Sequence, residues 1–82
     1  MYHVGSCLIC QQGLLEILKD AQTGKIYICC DECEVEWENP SDALKCQNGT
    51  RGRYGKIAPL RLEEILQQKW EADIFELPDQ TI

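Results

Sequence analysis

Cys7 and Cys10, followed by Cys30 and Cys33, form two Cys-x-x-Cys pairs with nineteen residues between Cys10 and Cys30. Each pair sets two sulfurs on one tight turn, and four thiolates at this spacing can close a tetrahedron around a single ion. Zn²⁺, bound by sulfur at about 2.3 Å, is the expected ion. A catalytic zinc keeps one position for water or substrate. Four protein thiolates leave none, so the expected metal is structural and acts through the fold. Gly13, just beyond the first pair, is expected to turn the chain back through positive φ.

Two further cysteines lie outside that set. Cys29 precedes Cys30 directly, and the register favours Cys30 as the ligand without excluding Cys29. Cys46, in the polar stretch Lys45–Gly49, is either a fifth ligand candidate or a free thiol. The single histidine, His3, has no second histidine to join it, and Ser6 and the acids compose no nucleophile-base constellation. The reading is therefore of a protein that is not an enzyme. Glycines 49, 52 and 55 lack the Lys-Ser/Thr of a phosphate-binding loop.

The elements that position these thiols must come from a chain of 82 residues. So short a chain buries a modest core, and small domains often rely on a metal, disulfides or assembly. Residues 1–20 have neither a basic leader segment nor a long apolar run, and the paired cysteines then point to metal in a reducing, cytoplasmic setting. No apolar run is long enough to span a membrane as a helix.

Leu14–Leu18 and Lys25–Cys29 are apolar, β-prone runs separated by Asp20-Ala21-Gln22-Thr23-Gly24, which predicts a hairpin between the cysteine pairs. Glu34–Glu38 alternates, with Val35 and Trp37 on one face and three glutamates on the other, which predicts a third strand ended by Asn39-Pro40. Knuckle, hairpin, second knuckle (Cys30-Asp31-Glu32-Cys33) and strand resemble the zinc-ribbon family over about residues 5–38. The resemblance implies a three-stranded antiparallel sheet gripping one zinc through Cys7, Cys10, Cys30 and Cys33. Family members commonly have proline inside the knuckle and glycine directly after its second cysteine; here those places hold Leu8-Ile9, Gln11 and Glu34.

The remainder reads as an extension of one compact unit, residues 1–40 being the ribbon and 41–82 a loop and helical segment. A short helix is expected at Pro40–Leu44, capped by Asn39 or Ser41, then a loop through Lys56. Leu62, Ile65, Leu66 and Trp70 recur at helical spacing and predict an amphipathic helix over 60–71. Its apolar stripe either covers the sheet near Val35 and Trp37 or is offered to a partner with Trp70 as anchor. The fold class expected is thus small α+β, a three-stranded ribbon with a C-terminal helix packed on or beside it. Residues 73–78 add an extended segment or fray.

The formal charge of −6 is uneven: residues through Pro40 hold seven acids and two bases, and the rest seven acids and six bases. Asp31, Glu32, Glu34, Glu36 and Glu38 would repel a phosphate backbone, so the ribbon is not expected to bind nucleic acid directly. They are either a solvated strand face or a docking face for a basic protein, with Glu34, Glu36 and Glu38 as the contacts. Small acidic proteins of this kind are similar to immunity proteins that neutralise toxin nucleases, which implies an inhibitor capping a basic groove. Two alternatives stand beside it. A nucleic-acid-associated ribbon would use Arg51, Arg53, Tyr54 and Lys56. A thiol redox or iron protein would use the same paired cysteines.

Overall fold

The computed structural model describes residues 1–77. The chain order is β1 (Tyr2–Ser6), β2 (Leu14–Asp20), β3 (Ile26–Cys30), β4 (Glu36–Trp37), α1 (Pro40–Leu44), β5 (Ile57–Ala58), α2 (Leu62–Leu66) and β6 (Phe75–Glu76). The strands make one antiparallel sheet in the order β4-β3-β2-β1-β6, with β5 paired to the far end of β2. The expected three strands are therefore six. The three additions are short or lie near the chain ends, where five or fewer residues give too little alternation to register as a strand.

The hairpin β2–β3 is the spine. Leu15 pairs with Cys30 and Ile17 with Ile28, and Ile28 pairs with Trp37 of β4, so these five side chains share one face. All five are buried. Val4, Ala43 of α1 and Ile65 of α2 close over them, with Leu60, Trp70, Val35 and Ile74 packed at the margin. Asn39 caps α1, its Oδ1 accepting the Asp42 N–H at 2.8 Å, and Pro40 starts the helix where no backbone donor is needed.

The helix expected over 60–71 is a correction, since α2 ends at Leu66. Lys69 takes φ 55°, a left-handed turn that no α-helix accommodates, and it sends Trp70 back toward the core. Only Ile65 of the expected stripe is buried, while Leu62 and Leu66 are exposed. A helix of five residues turns one position inward, and periodicity alone cannot reveal that the chain breaks before the stripe is used.

The opposite sheet face is covered by the loop after α1. Glu36 is the residue that holds it, and this too differs from expectation: alternation puts Glu36 outward with Glu34 and Glu38, yet it is only 7% exposed. Its carboxylate accepts N–H groups of Arg53 (3.0 Å) and Tyr54 (3.4 Å) and the Thr50 hydroxyl (3.3 Å), while its backbone bridges to Thr50. Tyr54 then stacks flat on Tyr27, with centroids 3.9 Å apart. "Outward" on a strand means solvent only if nothing lies above it, and here a loop does.

Asp20 repeats this device at the hairpin turn. It is buried and accepts from the Thr23 N–H and hydroxyl and from the Gly55 N–H, bonds that favour the carboxylate and hold its pKa below the usual range, with the Thr23 hydroxyl contributing most. A depressed folded pKa gives stability that is fully present above the unfolded value of about 3.9 and is lost as pH falls through the folded value. Asp20→Asn is therefore expected to lower the urea midpoint by the same amount everywhere from about pH 5.5 to about pH 8. A difference that grows or shrinks across that range would show that another group carries the effect.

Candidate metal centre

The two knuckles are built alike. In the first, the Gln11 N–H reaches the Cys7 carbonyl (3.1 Å) and the Cys7 N–H reaches Gly13 O (2.9 Å). In the second, the Glu34 N–H reaches the Cys30 carbonyl (3.1 Å) and the Cys30 N–H reaches Val35 O (3.0 Å). Both turns close through a left-handed residue, Gln11 at φ 58° and Glu34 at φ 63°. Both are positions that glycine would fill without steric cost.

Left-handed backbone costs a non-glycine residue about 1–2 kcal/mol, while glycine loses about 0.5–1 kcal/mol more in chain entropy. Gln11→Gly and Glu34→Gly should each stabilise the metal-loaded protein by up to about 1 kcal/mol. Glu34→Val, with a β-branched side chain at positive φ, should destabilise it. Thermal melts of the three variants check the ordering.

These turns bring Cys7, Cys10, Cys30 and Cys33 together, with their sulfurs all within 4.8 Å of one another. Cys7 Sγ lies 3.8 Å from Cys33 Sγ, and Cys10 Sγ 3.6 Å from Cys30 Sγ. A tetrahedral metal with thiolate bonds near 2.3 Å has sulfur–sulfur edges of about 3.8 Å, so the donor set fits one ion between the knuckles. Cys7 and Cys30 are buried on the core side; Cys10 and Cys33 are half-buried on the solvent side. The Glu32 and Cys33 N–H groups both point at Cys30 Sγ at 3.4 Å, and such donors stabilise a bound thiolate.

Two of the sulfurs, Cys10 and Cys30, differ sharply. Backbone N–H groups of Gln12 and Gly13 pull the Cys10 pKa down to about 6, whereas burial pushes Cys30 up to about 12. A cation held between them would favour the thiolate at both.

Gly13 differs from its expected role. Its φ is not positive; the glycine is needed for space, because a Cβ there would lie 2.6 Å from both Cys30 Sγ and Asp31 Oδ1. Asp31 Oδ1 also accepts the Leu14 N–H at 2.8 Å, locking the second knuckle to the start of β2.

Cys29 alternates with Cys30 and faces away from the sulfur cluster, opposite Glu16 and Glu36 across the sheet. Burial, followed by Glu36, raises its pKa to about 11, so it is a neutral thiol whose S–H reaches Cys30 O. Cys46 is exposed at φ 55° and stands outside the cluster. His3 stacks on Phe75 at 5.3 Å and its Nδ1 accepts the Gly5 N–H.

The partner-contact candidates are scattered. Glu34 is exposed beside the cluster; Glu36 is buried under the loop; Glu38 is exposed and paired with Arg53 at 2.8 Å. Trp70 is half-buried and lines a cleft of about 420 Å³ with Asn39, Pro40 and Leu44. Of the basic loop, Arg53 is thus neutralised by Glu38 and lies 5.7 Å from the Tyr54 ring, itself stacked inward on Tyr27. Sequence reasoning missed the loop-anchoring carboxylates of Asp20 and Glu36, since no local pattern shows which distant N–H groups they meet.

Comparison of the chain with protein-family profiles, with curated proteins and with solved structures finds no match to any of them. Among the described residues, no helix is long and apolar enough to cross a membrane.

Proposed function

We propose that this is a non-catalytic zinc-ribbon protein that works by binding another protein, its Zn²⁺ fixing the shape of the binding surface. The observation that carries the reading is the closed set of four sulfurs, Cys7, Cys10, Cys30 and Cys33, within 4.8 Å of one another. An ion held by all four has no position for substrate, and the described residues offer no other constellation suited to chemistry.

In its sharpest form the partner is a basic protein such as a toxin nuclease, and this chain is its acidic inhibitor in the cytoplasm. Charge supports that form, since the net formal charge is −6 and a four-thiolate zinc centre adds two negative charges. The contact surface is Glu34 with its neighbours in the knuckles, because Glu36 is spent on the loop and Glu38 on Arg53.

The test uses the tagged, zinc-loaded chain to capture partners from extract of its native cell, with metal content and free thiols measured on the same sample. One zinc per chain, two titratable thiols before metal removal and a basic protein lost on Glu34→Lys are expected. A coloured, iron-containing product, thiols joined pairwise, or capture indifferent to Glu34→Lys would sink the proposal.

A further inference from the structure

The metal end of the molecule carries a feature that protein binding in general does not specify. Leu8 and Ile9 are the two residues between Cys7 and Cys10, and they stand 57% and 50% exposed. Two adjacent branched aliphatic side chains at a turn tip contribute nothing to the core. The corresponding pair in the second knuckle is Asp31 and Glu32, both exposed and followed by exposed Glu34. The Asp31–Leu14 hydrogen bond ties these two knuckles side by side, so apolar pair and carboxylates share one end of the sheet.

The opposite end has the opposite character. Lys25 lies in the hairpin turn, and the Ala21 N–H bonds the Lys56 carbonyl, which brings a second lysine there. Exposed charge thus changes along β2, from Asp31, Glu32 and Glu34 at the metal end, where Arg51 shares a cleft with Glu34, to Lys25 and Lys56 at the hairpin end, where Glu38 shares a cleft with Lys25. A filled four-thiolate centre deepens the negative end.

Resting on the protein-binding reading above, we propose that the knuckle tip is the docking surface: Leu8 and Ile9 insert into an apolar pocket rimmed by Lys or Arg on a basic partner, and Asp31, Glu32 and Glu34 meet that rim. Charge selects this occupant. A second copy meeting it tip to tip would bring like charges together, and one presenting its hairpin end would offer Lys25 in a polar cleft beside Glu38 rather than an apolar pocket; nucleic acid or an anionic membrane would meet the tip's repulsion. The apolar pair supplies affinity and the carboxylates supply orientation and speed of encounter.

The experiment is an NMR titration of the ¹⁵N-labelled, zinc-loaded full chain with two defined peptides, an amphipathic Lys/Leu helix and a Lys/Gln peptide of equal charge. The Lys/Leu peptide is expected to shift amides of residues 8–9 and 31–34 and to bind about tenfold more tightly than Lys/Gln. Replacing Leu8 and Ile9 together by serine, which leaves zinc content unchanged, should erase that difference. Equal binding of both peptides, or no saturable binding of either, overturns the docking proposal. So do shifts at the tip that follow protein concentration alone or added duplex DNA. Shifts centred on the Trp70 cleft would overturn it while leaving protein binding in place; failure of partner capture, by contrast, counts against the broader reading.

Discussion

Stripping the metal with a strong chelator should unfold this protein, with loss of amide dispersion by NMR and of its cooperative thermal transition. The core holds few large side chains: Trp37, Leu15, Ile28 and Ile65 are the main fully buried ones besides two of the ligand cysteines. Stability of such a small domain is about 5 kcal/mol or less, whereas a structural zinc in a four-ligand site supplies about 10 kcal/mol or more at pH 7. Binding energy of that size exceeds what packing provides, so the metal-free chain falls on the unfolded side. Cys7→Ser and Cys30→Ser should behave as the chelated protein does, each removing a buried ligand. Cys29→Ser and Cys46→Ser should retain one metal per chain and stay within about 1 kcal/mol of the parent, because neither sulfur is in the cluster. Acid works in the same direction as the chelator: ligation needs thiolates, so falling pH makes protons compete with the ion and stability declines. A chelated protein that still melts cooperatively near the parent temperature would show that the core suffices alone.

Gly13→Ala should weaken metal binding by about a hundredfold, the equivalent of about 3 kcal/mol of overpacking. The added methyl would lie 2.6 Å from Asp31 Oδ1, 2.6 Å from Cys30 Sγ and 3.0 Å from Glu32 Cβ. Asp31 can swing aside, but only by releasing the Leu14 N–H. Cys30 cannot move, being fully buried, paired through β3 to Leu15 and held in the sulfur cluster. The strain therefore falls on the tetrahedron. Gly24→Ala is the contrast: φ is +77° there and a Cβ would meet nothing within 4 Å, so about 1 kcal/mol of backbone strain is expected with metal affinity intact. Competition against a chromophoric chelator measures both. Affinity within twofold of the parent for Gly13→Ala would mean that the knuckles separate more easily than the packing implies.

Local spacing alone marked the four cysteines that cluster and the hairpin that presents them. Cys-x-x-Cys geometry is local, and Leu14–Leu18 and Ile26–Cys29 alternate strongly enough to define strands whatever surrounds them. The capped helix at Pro40–Leu44 was equally local, written in Asn39 and Pro40. Which neighbour of the Cys29–Cys30 pair joins the sulfurs was decided by strand register, which the sequence favoured but could not close. Glu36 reads as a surface carboxylate until a loop fourteen residues later folds over it, and Leu62, Leu66 and Trp70 read as one stripe until Lys69 breaks the helix. The extra strands β5 and β6 exist because partners far along the chain offer hydrogen bonds, while β1 pairs with the next strand across the first knuckle and is too short to show alternation of its own. Short-range spacing fixes what depends on neighbours within a turn; burial depends on what arrives from elsewhere, and only the assembled sheet shows which acids and aliphatics stay exposed beside the cysteine cluster.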